Sequence, residues 1–153
     1  MSKKWLYIIV VFIIFSCGKT KNDNIIEINQ TNRLSLGDSI PNFSGYTENN
    51  AFFNIMSLNR NILFIFFSND NGLCLLNEEI LNNNIGKLAE KKNVDILFIS
   101  EMKIANIYGI EYTDPPDRKM KYSVLFVVDS EKKIKKIFKN VSMKYLIDLL
   151  SEY

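Results

Sequence analysis

Three apolar runs of strand length, separated by polar breaks, constrain this chain more than any other feature. Ile62–Phe67 is wholly apolar and rich in residues that favour extended backbone, so it suits a central strand buried on both faces. Val94–Ile99 and residues 123–128 read as two further buried strands. Asp70-Asn71-Gly72 breaks the first run. Beyond it, Leu76, Ile80, Leu81, Ile85, Leu88 and Ala89 recur at helical spacing across residues 74–91. Two strands joined through a helix imply a parallel crossover within one sheet.

The remaining segments fill in around that unit. Leu36 to Phe43 reads as a turn entering an extended segment, and residues 46–58 as a hairpin around Glu48-Asn49-Asn50. Residues 101–108 form a short helix candidate, followed by a loop stopped by Pro115-Pro116. Residues 132–138 pair with the third apolar strand across Asp129-Ser130-Glu131. Lys132, Lys133, Lys135 and Lys136 flank Ile134 and Ile137 and read as a solvated strand face. An amphipathic helix over residues 141–150, which Ser142 can cap, closes the chain. The expected fold class is α/β: a central mixed β-sheet flanked by helices.

The amino terminus is different in kind. Lys3 and Lys4 precede an unbroken apolar run from Trp5 to Phe15, and Ile14-Phe15-Ser16-Cys17-Gly18 resembles a bacterial lipobox. The run is about half the ~20 residues a spanning helix needs. Residues 1–16 are therefore expected to be a signal peptide, with Cys17 the lipidation site, carrying acyl chains such as palmitate. Residues 17–33 are expected to be a polar tether, in which Ile25-Ile26-Glu27-Ile28 is the one apolar patch and a candidate edge strand. Residues 34–153 are expected to be one globular domain.

Charge and composition exclude several functions. Without Lys3 and Lys4 the chain carries 17 residues of each sign. A neutral domain argues against nucleic acid, which demands a basic face. There is no histidine, which removes Ser-His and Cys-His nucleophile pairs and most zinc or copper sites. Glu78-Glu79 and Asp114/Asp117 are the acidic pairs available to a hard cation, but no oxygen-ligand loop accompanies them. No metal and no cofactor are expected. Once Cys17 is lipidated, Cys74 is the only thiol left, so no internal disulfide forms.

Gly37-Asp38-x-x-Pro41-x-Phe43 resembles the opening motif of the redoxins, the branch of thioredoxin-like proteins that includes peroxiredoxins and membrane-anchored thiol-disulfide reductases. Asn61 to Ser68 resembles their strand leading to the active site, and Ser123 to Asp129 the strand after their cis-proline. The resemblance covers about residues 34–153 and implies a thioredoxin-like fold. It also implies a degenerate site. The family's C-x-x-C falls on Asn71-Gly72-Leu73-Cys74, so Asn71 stands at the attacking cysteine and Cys74 at the resolving one. Dithiol exchange needs both thiols. Ser123 stands at the cis-proline, and a cis bond before a non-proline residue costs about 2.5–4 kcal/mol, so a trans bond is expected there.

A peroxiredoxin alignment would instead make Cys74 the peroxidatic residue. Phe67 and Asn71 then replace that motif's proline and threonine, and Arg118, in the loop after Pro116, is no obvious match for its activating arginine. The residues also admit a structural reading, in which Asn71 caps the following helix and Cys74 is a buried small hydrophobe. The expectation is an envelope lipoprotein, its mature domain outside the cytoplasm, acting as a binding or scaffold module for an envelope protein. The alternative is a monothiol redoxin or peroxidase-type enzyme using Cys74.

Overall fold

The computed structural model describes residues 25–46, 52–69 and 84–153. Strands β1 (Ile26–Ile28), β4 (Ile62–Phe67), β5 (Val94–Ile99), β6 (Val124–Asp129) and β7 (Ile134–Lys139) form one sheet in the order β1-β7-β6-β4-β5. Strands β2 (Ser44–Tyr46) and β3 (Phe52–Asn54) form a separate antiparallel hairpin. The helices among the described residues are α1 (Asn84–Lys91), α2 (Met102–Ile107) and α3 (Met143–Glu152). β4 and β5 run parallel, and β6, β7 and β1 are antiparallel to their described neighbours.

β4 sits between β5 and β6, which is why its six residues are apolar without alternation. Leu63, Ile65 and Phe67 face one core with Phe126, Val128, Ala105 and Tyr108. Phe64 and Phe66 face the other, with Leu125 and Val127, Ile85 and Ala89 of α1, and Leu146, Leu149 and Leu150 of α3. One strand thus nails two helical layers to the sheet. Asp95 interrupts β5's apolar run at its solvent end and pairs with Arg60 at 3.1 Å. Ser142 caps α3, accepting the Tyr145 N–H at 3.2 Å.

The opening motif has a structural job at each position. Gly37 has φ +87°, where only glycine is unstrained. The Asp38 carboxylate accepts the Ser35 N–H at 2.8 Å and closes the turn. Pro41 offers its carbonyl to the buried Tyr108 hydroxyl at 3.2 Å. Phe43 meets Tyr108 and Phe53 edge-on, with ring centroids 6.1 and 6.0 Å away. Burial raises the Tyr108 pKa, so the phenol stays a neutral donor.

The candidate edge strand within the expected tether forms: Ile26–Ile28 pairs with β7 at the edge of the sheet, and Thr31 donates to the Tyr108 carbonyl at 2.8 Å, so these residues pack on the domain. One expectation changes. The lysine-rich strand is not a simply alternating solvated face. Lys132 has φ +63° and is 8% exposed, with its ammonium donating to the Leu58 carbonyl. A bulge between Val127 and Val128 then lets Ile134 and Ile137, three residues apart, enter the same core.

Candidate functional site at the strand ends

The carboxyl ends of β4 and β5 are where an open α/β sheet presents its connecting loops. Ser68 donates its N–H to the Ile99 carbonyl at 3.2 Å, joining the two strand ends. The next residue, Asn69, reaches across the sheet. Its side-chain amide donates to the Met120 carbonyl at 2.8 Å and accepts the Met120 N–H at 2.8 Å. This pair of hydrogen bonds fixes the segment before β6 against the end of β4, across 51 residues of sequence.

That segment is itself built. Residues 111–121 fold back on themselves, with Tyr112 bridging Met120 and the Lys121 N–H donating to the Glu111 carbonyl at 3.0 Å. The turn holds the Pro115–Pro116 peptide, which is cis. Thr113 Oγ1 donates to the Asp117 carbonyl at 2.6 Å and accepts the Lys119 N–H at 3.0 Å. Behind it, Glu111 faces Lys121 at 3.4 Å and Lys139 at 3.9 Å. Lys139 Nζ donates to the Tyr122 hydroxyl at 2.9 Å and lies 4.2 Å from that ring's centroid. The Tyr122 hydroxyl, and then the two lysines, hold the Glu111 carboxyl below its usual range, while burial and the same carboxylate raise the Tyr122 pKa.

Between these parts lies a cavity of 280 Å³, lined by Asn69, Ser100, Met102, Tyr112, Arg118, Lys119 and Met120. Tyr112 donates its hydroxyl to the Met102 carbonyl at 3.3 Å, and burial raises its pKa, so it is not a base. A second, more open groove of 530 Å³ shares Ser100 and is lined chiefly by Phe43, Phe52, Phe53, Phe98 and Ile104. Among the described residues, the first cavity is lined by hydrogen-bonding side chains and two cations.

The residues singled out in the sequence fare differently. Ser123 is at this end of the sheet, after a trans peptide. Its hydroxyl donates to the Val141 carbonyl at 2.7 Å and its carbonyl accepts the Asn140 N–H at 2.9 Å, so it ties β6 to the start of α3. Cys17, Asn71, Cys74 and Glu78-Glu79 lie outside the described residues. Asp114 and Asp117 are exposed, and no three metal-ligating side chains converge among the described residues. No helix among the described residues is long and apolar enough to cross a membrane. Asn69, Tyr112 and Lys119 escaped the sequence reading, because only the fold-back of residues 111–121 brings them together.

No protein-family model and no curated protein matches the sequence. Solved structures do match. The peroxidoxin BcpB from Mycobacterium tuberculosis aligns with a TM-score of 0.55 and 12% identity, over 76% of this chain and 91% of that one. A peroxiredoxin-like protein from Aquifex aeolicus aligns with a TM-score of 0.55 and 14% identity, over 82% and 98%. A putative thiol:disulfide interchange protein DsbE from Chlorobium tepidum gives 0.51 and 10%, over 78% and 96%. These likenesses, with the mixed sheet and its flanking helices, establish that the chain has a thioredoxin-like fold.

Proposed function

We propose that this chain is a binding module on a thioredoxin-like fold, tethered to a bacterial envelope membrane through lipid on Cys17, and not a dithiol oxidoreductase. The observation that carries the reading is the strand-end cavity. It is walled by a double hydrogen bond from Asn69 and lined by donors and cations, with no thiol or histidine among its described residues. The sequence adds that Asn71 stands where a redoxin's attacking cysteine would be, with Cys74 the single remaining thiol of the mature chain. Metabolic labelling with a fatty-acid analogue tests the tether. Cys17→Ser should abolish labelling and release the protein from membranes, since several acyl chains anchor stably where one is marginal. Label retained in that variant refutes the anchor.

One observation favours a second reading. The solved structures that share the fold include a peroxidoxin and a peroxiredoxin-like protein. A peroxidase-type reaction would run through Cys74, whose thiolate would attack a peroxide oxygen, leaving a sulfenic acid and releasing an alcohol or water. Trapping of a sulfenic acid on Cys74 after mild peroxide treatment supports that alternative, and its absence supports the binding module.

A further inference from the structure

We propose that the strand-end cavity binds a small organic anion, a carboxylate carried on a short apolar body. The inference rests on reading the cavity as a binding site and adds the chemistry of its ligand. Arg118 and Lys119 both line the cavity, and neither makes an ion pair among the described residues. The neighbouring cations are already engaged: Lys121 of the fold-back faces Glu111, and Lys139 of β7 is shared between Glu111 and Tyr122. Asp114 and Asp117 sit on the turn and neither lines the cavity. Among the described residues, two adjacent positive groups thus stand at one mouth with no carboxylate in the lining, a charge that an anion would balance. The guanidinium offers a planar fork that matches two carboxylate oxygens, and the ammonium adds a point charge.

The rest of the lining chooses among anions. Met102 and Tyr112 bring apolar surface to the lining, the Tyr112 hydroxyl already being spent on the Met102 carbonyl, and Met120 of the adjoining core closes it from below. The Asn69 amide is likewise occupied by Met120. Beyond the cations, the Ser100 hydroxyl is the side-chain polar group of the lining that no described hydrogen bond uses. A fully polar anion such as inorganic phosphate would leave the methionine and tyrosine surface wet. A ligand with a charged head and an apolar body covers both parts. The 280 Å³ volume is that of about nine water molecules in the liquid, which limits the occupant to a small molecule and leaves ample room for a short-chain carboxylate.

Butanoate is the probe, titrated into the full chain and followed by backbone amide shifts. Butylammonium, butanol and inorganic phosphate are the comparisons. Butanoate should give saturable shifts at Ser100, Tyr112 and residues 118–120, and butylammonium none. Arg118→Gln with Lys119→Gln should weaken binding about tenfold or more, since each charge-assisted bond is among the stronger kind. Arg118→Lys with Lys119→Arg, which keeps both charges, should retain binding. Both positions are exposed, so the fold tolerates these changes. Absence of saturable butanoate shifts, unchanged affinity in the double glutamine variant, or phosphate binding as tightly as butanoate overturns the proposal. If butanol alone shifts the same amides, the cavity is a binding site for a neutral ligand and only the anion assignment fails. If no probe binds, both the assignment and the binding reading fail.

Discussion

Asn69→Ala removes a side chain that joins the end of β4 to the segment before β6. Two hydrogen bonds of 2.8 Å disappear, and both partner groups belong to the backbone of Met120, a residue 4% exposed. A hydrogen bond contributes about 1 kcal/mol net, whereas a buried group left without a partner costs about 1–3 kcal/mol. Two such groups would give up to about 6 kcal/mol if the site stayed dry, on the same scale. Asn69 is only half-buried and borders the cavity, so water rehydrates part of what the amide leaves. The expected loss is about 2–3 kcal/mol. Urea unfolding measures it as a lower midpoint at unchanged slope. Asn106→Ala, an exposed asparagine on α2, is the control and should change stability by less than about 0.5 kcal/mol. A loss at Asn69 as small as the control's would refute the clamp and with it the assignment of the cavity's fixed wall.

Two further predictions bear on the frame and its pH response. Gly109 has φ +73°, and a Cβ there would lie 2.6 Å from the Arg33 nitrogen, so Gly109→Ala should cost at least about 2 kcal/mol in thermal or urea unfolding and loosen residues 31–33 in hydrogen exchange. Burial works against the Asp129 carboxylate, yet the N–H groups of Lys133 at 2.9 Å and Glu131 at 3.0 Å, with the Lys135 ammonium at 3.0 Å, hold its pKa below the usual value. Its stabilisation is therefore complete above the ordinary aspartate range and is lost as pH falls through the lowered value. Stability measured from neutral to acid pH should fall less steeply in Asp129→Asn than in the wild type.

The sheet was legible where burial alone decides the sequence. β4 and β5 carry the boundaries read from their apolar runs; β4 is covered on both faces and has little freedom in composition, while β5, at the end of the described sheet, is half-buried over its middle residues. The end of the chain was legible through Ser142, whose cap is local. Lys132 was misread because its burial depends on a positive φ and on the distant Leu58 carbonyl, neither of which has a local signature. Ile134 and Ile137 share a core only through the bulge. The apolar patch Ile25-Ile26-Glu27-Ile28 marked an edge strand inside an otherwise polar stretch, and β7 supplies the partner that the local sequence does not name. The cavity was the least legible part. Asn69 and Met120 are far apart in sequence, and Arg118 and Lys119 look like ordinary loop charges until the fold-back sets them at the strand ends.

Turnover compared between the wild-type chain and Cys74→Ala, with insulin disulfide and with an alkyl peroxide as substrates, tests the central claim most directly. A binding module with no working thiol site gives equal, background rates for both proteins on both substrates. Disulfide or peroxide turnover that is clear in the wild type and lost in Cys74→Ala would contradict the account and make the chain a thiol enzyme.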